Sequence, residues 1–352
     1  MVNSIVFVCP SLGGGGAERV SVALSKYFFE HGVEFTFLLT KRRKICYPIP
    51  KGVRVITEHA DPDMSPLRQI YLIRSYMKNN RDSVFISFLP HQNMYTLLAS
   101  IGMSNKVIIS IRNDPGHDFP SSKLLPHVRD ILYMFADSIV FQTDVQRDSL
   151  PFYLQEKGPT ILNPVSDGLP MPFQGGRRKV IVTSGRLEEQ KNHAMTIRAF
   201  AQFHESHSDY SLEIFGEGSL EDELKNLAKE LGVGGCVSFE GFSSHALEHV
   251  RTASAFVMSS RFEGLSNSML EALAMGVPTV CTRCLGGGAE AVIEDGVNGL
   301  LVDVDDVDGE VQALCRLVDD VHFSQEISVQ SQVLREKLSL KSVGDAWRRL
   351  VS

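Results

Sequence analysis

Short apolar runs alternate along the chain with longer segments in which apolar residues recur every three or four positions. The runs predict buried strands, and the recurring pattern predicts amphipathic helices. Because strands and helices alternate throughout, the sequence predicts an α/β fold with parallel sheets covered by helices on both faces. The predicted strands are residues 4–9, 34–39, 83–88, 106–111 and 138–142 in the first half and 180–183, 211–215, 237–239, 255–258 and 279–281 in the second.

A segment rich in proline and glycine, residues 163–176, separates the two halves. A chain of 352 residues is long enough for two domains of ordinary size. We therefore expect two Rossmann-like, doubly wound domains, residues 1–165 and 166–352, that face each other across a cleft at the carboxyl ends of their strands. The polar stretch 303–310 is predicted to be a loop.

The composition, with 43% hydrophobic and 22% charged residues, is typical of a soluble globular protein. No apolar stretch reaches the length of a membrane span, and the N-terminal strand lacks the features of a signal peptide, so a cytoplasmic protein with reduced cysteines is expected. The residues up to Pro164 include 18 basic and 14 acidic side chains, whereas the remainder includes 17 and 28. The first half is therefore expected to meet anions. No nucleic-acid partner is expected.

Two glutamates lie around a predicted strand-loop-helix connection in residues 261–280, at Glu263 and Glu271. A helix N-terminus favours a diphosphate, whereas carboxylates accept hydrogen bonds from hydroxyls. The pattern is thus suited to a sugar nucleotide, and the loop residues expected to face it are Gly264, Leu265 and Ser266. The alternative is structural, because Ser268 and Glu271 also fit a capping box and Glu263 could be an ordinary surface acid.

Two other strand-to-helix connections have features suited to phosphate binding. Gly14, Gly15 and Gly16 follow the first strand, where glycines let the backbone approach a bound group closely; a simple structural turn is the alternative. Arg186 and Lys191 follow the first strand of the second half and can together neutralise a diphosphate without a metal. Solvated surface cations are the alternative there.

These motifs together resemble the family 4 retaining glycosyltransferases, which have the GT-B fold. The resemblance implies transfer of a hexose or N-acetylhexosamine from a nucleotide sugar, expected to be UDP-linked, to a glycan hydroxyl, with neither metal nor cofactor. It is close in style to bacterial enzymes of O-antigen and oligosaccharide assembly, including N-acetylgalactosaminyltransferases. That similarity implies a polyprenyl-diphosphate-linked acceptor in surface polysaccharide assembly.

The resemblance also implies roles for individual residues. Glu263 is expected to contact the transferred sugar and Glu271 the ribose, while Arg186 and Lys191 bind the diphosphate. Stabilising the charge of the leaving diphosphate is the main catalytic task, so Glu263, Arg186 and Lys191 are the expected catalytic residues. The glycine loop approaches the donor phosphates from the first domain, and the last helix, about 338–352, is expected to return to that domain.

The acceptor side departs from the family pattern. Many relatives have a histidine after the strand that ends near residue 111, and this chain has Arg112 and Asn113 instead. Arg112, Asn113, Asp114 and His117 are the acceptor candidates, with a closing Asp-Pro-Gly turn as the alternative.

A basic, apolar helix near 66–81 could lie against an anionic membrane surface, which would make the protein peripheral at the inner face of the cell membrane. A solvated helix face is the alternative.

Two other classes of protein remain open. The glycine run and the basic residues 41–44 allow an NADP-dependent oxidoreductase, although the glycines do not follow the G-x-G-x-x-G register. A non-catalytic carbohydrate- or nucleotide-binding protein of the same fold is the other alternative. His245 and His249 match an inverted zincin pattern, but they lie within the predicted sugar-nucleotide domain, and no metal site is expected.

Overall fold

The computed structural model describes residues 2–243 and 245–352. They form two compact units. The first comprises the residues up to Pro164 together with Leu340–Ser352, and the second is Val165–Ser339.

The first unit contains one parallel sheet and its covering helices. Its strands are β1 (Ser4–Cys9), β2 (Glu34–Leu39), β3 (Arg54–Ile56), β4 (Val84–Phe88), β5 (Val107–Ser110) and β6 (Ser138–Val140). Its helices before residue 164 are α1 (Gly16–Glu30), α2 (Pro66–Asn79), α3 (Pro90–Ser100), α4 (Leu125–Tyr133), α5 (Asp144–Asp148) and α6 (Phe152–Gln155). The strand order is β3-β2-β1-β4-β5-β6, and every pairing is parallel.

The second unit repeats this plan. Its strands are β7 (Arg178–Ser184), β8 (Ser211–Phe215), β9 (Val237–Gly241), β10 (Ala253–Met258), β11 (Thr279–Arg283) and β12 (Leu300–Asp303). Its helices are α7 (His193–Ser206), α8 (Glu221–Glu230), α9 (Ala246–Thr252), α10 (Asn267–Ala274), α11 (Val307–Asp319), α12 (Val321–Ser331) and α13 (Val333–Lys337). The parallel order β12-β11-β10-β7-β8-β9 places β7 and β10 side by side at the centre.

The apolar character of the strands explains why both sheets are buried on both faces. A parallel sheet covered on both faces needs side chains that are apolar on both sides of each strand. In β1, Ile5 to Cys9 are all buried. In the second unit, β10 has the sequence Ala-Ser-Ala-Phe-Val-Met, and its last four residues are buried. The predicted α/β class with two Rossmann-like domains is confirmed.

The last helix, α14 (Leu340–Val351), packs within the first unit. Trp347 is buried beside Phe88, with 5.7 Å between their ring centroids. A β-carbon on Gly344 would lie 2.4 Å from the ring of Tyr27, so glycine is required for this close approach to α1. Lys106 donates to the carbonyl of Leu350 at 2.9 Å, which satisfies an acceptor in the last turn.

All ten predicted strands occur, with ends shifted by at most two residues, but two strands were missed and one loop was wrong. The missed strands are β3 and β12, which lie at sheet edges. The stretch 303–310, predicted as a loop, contains the end of β12 and the first turn of α11. Asp306 begins that helix, because its side chain accepts from the N–H of Gly309 at 2.9 Å.

Candidate functional site

The central strands of the second unit lead into two loops that lie against each other. Lys191, after β7, forms an ion pair with Glu263, after β10, although the two are 72 positions apart. Their side chains are only 12% and 15% exposed. The side-chain amide of Gln190 donates to the carbonyl of Phe262 at 2.9 Å, and the N–H of Arg261 donates to the carbonyl of Gln190 at 2.9 Å. The two loops therefore hold this cation and this carboxylate together.

Local backbone conformation fixes the position of Lys191. Asn192 adopts a left-handed conformation with φ of 51°, which Asn tolerates better than most residues. Its side-chain amide donates to Asp305 at 3.0 Å, and Arg261 pairs with the same carboxylate at 2.7 Å. The turn between β7 and α7 is thus anchored through Asp305, just before α11.

Close backbone contacts bring further loops to the same place. Gly216, after β8, has φ of 140°, and a β-carbon there would lie 1.9 Å from the carbonyl oxygen of Gly185. A β-carbon on Gly288 would lie 1.5 Å from the carbonyl oxygen of Gly264. Only glycine fits at these two positions, so the sequence allows the loops to meet without side chains between them.

Besides Arg261, which is paired with Asp305, the positive charge at this place comes from Lys191 and Arg186. Arg186 is exposed, and its guanidinium donates to Gln190 at 3.1 Å. His193, at the start of α7, is buried, and burial lowers its pKa to about 4, with the charge of Lys191 contributing in the same direction. The imidazole is therefore uncharged at neutral pH.

The loop of Gly264, Leu265 and Ser266 leads directly into α10. Ser266 is the N-cap, with extended backbone and no capping bond from its side chain. Ser268 donates to the carbonyl of Ser184 at 3.3 Å. The alternative capping box is wrong, because Ser268 lies inside the helix and its hydroxyl binds β7 instead.

Glu271 projects from the middle of α10 and is 2% exposed. Its carboxylate accepts from the hydroxyl of Ser166 at 2.5 Å. A buried carboxylate that already binds a hydroxyl is chemically suited to hydroxyl recognition.

The predicted first-unit residues follow two different strands of that unit, β1 and β5. Gly14, Gly15 and Gly16 are exposed at the start of α1, where Gly14 has φ of 109° and Gly15 is the N-cap. The hydroxyl of Tyr47 donates to the carbonyl of Gly15 at 3.1 Å. The glycine backbone is therefore accessible at a helix N-terminus.

The acceptor candidates follow β5. The guanidinium of Arg112 lies 3.5 Å from the ring centroid of Phe88 and donates to Asn163 at 2.7 Å; burial lowers its pKa to about 9. The carboxylate of Asp114 lies 2.5 Å from Nδ1 of His117, and that histidine is the more exposed partner. Asn113 lies between Arg112 and Asp114 in sequence, and its backbone carbonyl accepts from the side-chain amide of Gln146 at 3.2 Å.

Comparison with known proteins places this geometry in a family. The family described as Glycosyl transferases group 1 matches residues 178–320. A Campylobacter jejuni protein, N-acetylgalactosamine-N,N'-diacetylbacillosaminyl-diphospho-undecaprenol 4-alpha-N-acetylgalactosaminyltransferase, is 31% identical over 334 residues and covers 88% of each chain. This chain belongs to the group 1 glycosyltransferases. A second Campylobacter jejuni relative, an alpha-1,4-N-acetyl-D-galactosaminyltransferase, is 26% identical over 99% of this chain and 98% of its own.

Solved structures show that the glycosyltransferase has the GT-B fold. TarM of S. aureus superposes with a TM-score of 0.82 at 13% identity, with 99% of each chain covered. Anabaena HepE, in complex with UDP and glucose, gives 0.83 at 17% identity over 100% of this chain and 99% of that one. The predicted family and fold are confirmed, and the oxidoreductase alternative is wrong.

Potential metal ligands in the described part of the glycosyltransferase lie away from the loops above. His207, Cys315 and Asp319 have ligand atoms within 4.8 Å of one another at the last turns of α7 and α11. His249, from the zincin-like pattern, lies with Nδ1 2.9 Å from Glu213. None of these residues belongs to the predicted site.

Sequence reasoning missed the buried support of the glycosyltransferase site. The carboxylate of Glu310 in α11 accepts a hydrogen bond from the hydroxyl of Ser259, directly after β10. The signal was available, because Glu310 falls on the same helix face as the apolar residues Ala313, Leu314 and Leu317. It was missed because 303–310 was assigned to a loop.

Proposed function

We propose that this glycosyltransferase moves a hexose or N-acetylhexosamine from a UDP-linked donor to a glycan hydroxyl, retains the anomeric configuration and needs no metal. The observation that supports this most directly is the Lys191–Glu263 pair beside the N-terminus of α10. A cation, a carboxylate and a helix N-terminus are the groups that a diphosphate sugar requires. HepE, a protein of the same fold, was solved with UDP and glucose.

In the proposed mechanism, the donor diphosphate takes Lys191 away from Glu263 and also binds Arg186. Glu263 is then free to accept hydrogen bonds from the sugar, and Glu271 accepts from the ribose after Ser166 moves aside. The bond between the anomeric carbon and the diphosphate oxygen breaks as the acceptor oxygen bonds to the same face of that carbon. The acceptor proton passes to the departing phosphate oxygen, so no protein base is required.

Positive charge on Lys191 and Arg186 supports a metal-independent reaction, because these two side chains can stabilise the leaving diphosphate. Gly14, Gly15 and Gly16 are proposed to approach the donor phosphates. Arg112, Asn113, Asp114 and His117 are proposed to serve the acceptor, with His117 the most accessible of the side chains paired there.

The proposed acceptor is a polyprenyl-diphosphate-linked glycan in surface polysaccharide assembly. The two Campylobacter jejuni relatives have names that describe undecaprenol-linked acceptors. Among the described residues, no helix is both long and apolar enough to cross a membrane. We propose that the protein binds the inner face of the cell membrane peripherally, through the exposed apolar and basic side chains of α2.

The experiment is a donor panel with product analysis. Purified protein is incubated with UDP-linked hexoses and N-acetylhexosamines and with undecaprenyl-diphosphate-linked or free oligosaccharides, with and without EDTA. We expect one UDP sugar to be consumed, an α-linkage by NMR and full activity in EDTA. A β-linked product contradicts retention, and activity that requires added metal contradicts metal independence. UDP binding without transfer to any acceptor would favour the non-catalytic alternative.

A further inference from the structure

An ionisable side chain interrupts the apolar face of α11. Ala313, Leu314 and Leu317 are buried on that face, and Glu310 precedes them at helical spacing. Glu310 is 0% exposed. An apolar residue is expected at such a position, because burying a carboxylate is costly unless other groups bond it.

The Glu310 carboxyl group is bonded on one side only. The hydroxyl of Ser259 donates to Oε2 at 2.6 Å, and the hydroxyl of Thr196 also bonds the carboxylate. The two hydroxyls lie 2.8 Å from each other. Oε1 has no hydrogen-bond partner in the structure. A buried oxygen without a partner calls for a physical explanation.

The two hydroxyls belong to the segments that supply the donor-site ion pair. Ser259 directly follows β10 and lies four residues before Glu263. Thr196 lies in the first turns of α7, five residues after Lys191. The Glu310 carboxyl group therefore joins the backbone segments that present the cation and the carboxylate of the site.

Few charges surround this carboxyl group. Burial raises its pKa to about 7, while the two hydroxyls act in the opposite direction. Cys281 of β11 interacts with both Glu310 and Lys191, and its own raised pKa keeps the thiol neutral. His193 of α7 is neutral at this pH. Strand β10 has no titratable side chain, and those at the end of β12 and on α12 are exposed.

We propose that Glu310 is a positioning residue of the donor site and takes up a proton when the donor diphosphate binds. This inference rests on the proposed function. A diphosphate at Lys191 brings negative charge to the loops after β7 and β10. Glu310 is bonded to Ser259, directly after β10, and the added negative charge disfavours an ionised carboxylate there. The neutral carboxylic acid retains an oxygen that accepts from Ser259, so the two segments stay joined.

Calorimetric titration of UDP near pH 7 tests the proposal in two buffers of different ionisation enthalpy. The terminal phosphate of UDP titrates in this range in every variant, so the readout is the difference in proton uptake between wild type and Glu310→Gln. We expect wild type to take up roughly half a proton more. The affinity of the wild-type protein for UDP should fall roughly tenfold from pH 6 to pH 8, because only molecules with a protonated Glu310 bind UDP tightly. This part of the fall should be absent in Glu310→Gln.

Two further variants separate charge from bonding. Glu310→Leu restores the apolar face and removes the acceptor for Ser259, so it should show the flat profile of Glu310→Gln but weaker UDP binding. Glu326→Gln makes the same chemical change on the exposed face of α12 and should match wild type. Equal proton uptake by wild type and Glu310→Gln overturns the inference. The binding isotherm itself tests the proposed function, so the two failures are distinguishable.

Discussion

At the scale of single residues, the ion pair of Lys191 and Glu263 dominates the candidate site. Both side chains are largely shielded from water, so each stabilises the charge of the other more than an exposed pair would. In the proposed mechanism, the donor diphosphate replaces Glu263 as the partner of Lys191. The two residues should therefore respond differently to substitution.

Lys191→Ala should lower kcat/KM for sugar transfer by roughly 100- to 1000-fold, because it removes a cation that stabilises the leaving diphosphate. It also leaves Glu263 without its partner, so donor binding should weaken. Steady-state kinetics with the preferred donor measures the effect, and circular dichroism checks the fold. Lys179→Ala is the matched control, because Lys179 forms an exposed pair with Asp209. Wild-type turnover in Lys191→Ala would remove its assigned role.

Glu263→Gln should separate binding of the nucleotide from transfer of the sugar. The carboxylate competes with the diphosphate for Lys191, so its neutral isostere should bind UDP at least as tightly as wild type. Transfer should nevertheless fall by roughly 100-fold or more, because an interaction with the reacting sugar is lost. Calorimetry with UDP and single-turnover kinetics give the two measurements. A parallel loss of UDP affinity would contradict the competition.

The residues of the candidate site could be predicted from the sequence through its motifs, but the contacts between them could not. The resemblance named Lys191 and Glu263, but nothing in their local sequences shows that they touch across 72 positions. Their contact depends on the adjacency of β7 and β10, which is a property of the sheet order. The partner of Glu271 is 105 positions away, and no pattern around Ser166 indicates it.

At the scale of elements, long periodic segments were predicted well, whereas two of the four edge strands, β3 and β12, were missed. β3 has three residues and β12 has four, and each pairs with only one neighbour. Three or four residues are too few to establish a periodicity, and β6, which is as short, was predicted only as part of the longer run 138–142. Helix α11 was missed at its start because acidic residues around Asp306 resemble a loop, although one of them is the N-cap.

Helix α11 also predicts how stability depends on pH. The pKa of Glu310 is raised in the folded protein, to about 7, so the folded state binds more protons than the unfolded state between roughly pH 4.5 and 7. Its contribution to the free energy of unfolding therefore falls as pH rises through this window. Glu310→Gln should be more stable than wild type at pH 8 by roughly 3 to 4 kcal/mol and similar near pH 4. Chemical denaturation at both pH values measures the difference, and a pH-independent difference would contradict the assignment.

The exposed side chains of helix α2 lead us to predict membrane binding through one face of that helix. Leu67 and Tyr71 are 79% and 76% exposed, and Arg68 and Lys78 are exposed with them. Arg74 differs, because it donates to the carbonyls of Ala99 and Ile101. The exposed face thus combines apolar and cationic side chains, as interfacial helices do.

Replacing Leu67 and Tyr71 together by serine should reduce sedimentation with anionic phosphatidylglycerol vesicles several-fold, because it removes the apolar part of that face. Transfer to a water-soluble acceptor should be unchanged. Val321→Ser, at an exposed apolar position of α12, is the control. Wild-type sedimentation by the double variant would show that α2 is a solvated face.

At the scale of the whole molecule, α14 belongs to the same unit as β1, although all of the second unit lies between them in sequence. Trp347 is the only tryptophan and is buried in the first unit, so its fluorescence reports on that unit. Gly344→Val should lower the fluorescence-detected stability by several kcal/mol, because a side chain there overlaps the ring of Tyr27. Arg349→Ala, at an exposed position of the same helix, should leave the midpoint unchanged. Equal midpoints for the two variants would contradict this account of α14.

The return of α14 has a consequence for biosynthesis. Residues 165–339 are contiguous and can begin to fold as soon as they leave the ribosome, whereas the first unit lacks part of its core until α14 has been made. Until then, Phe88 lacks the ring of Trp347 that packs beside it, and the core cluster that also contains Phe7 and Phe28 is incomplete. The nascent first unit should therefore depend on chaperones for longer than the segment made after it.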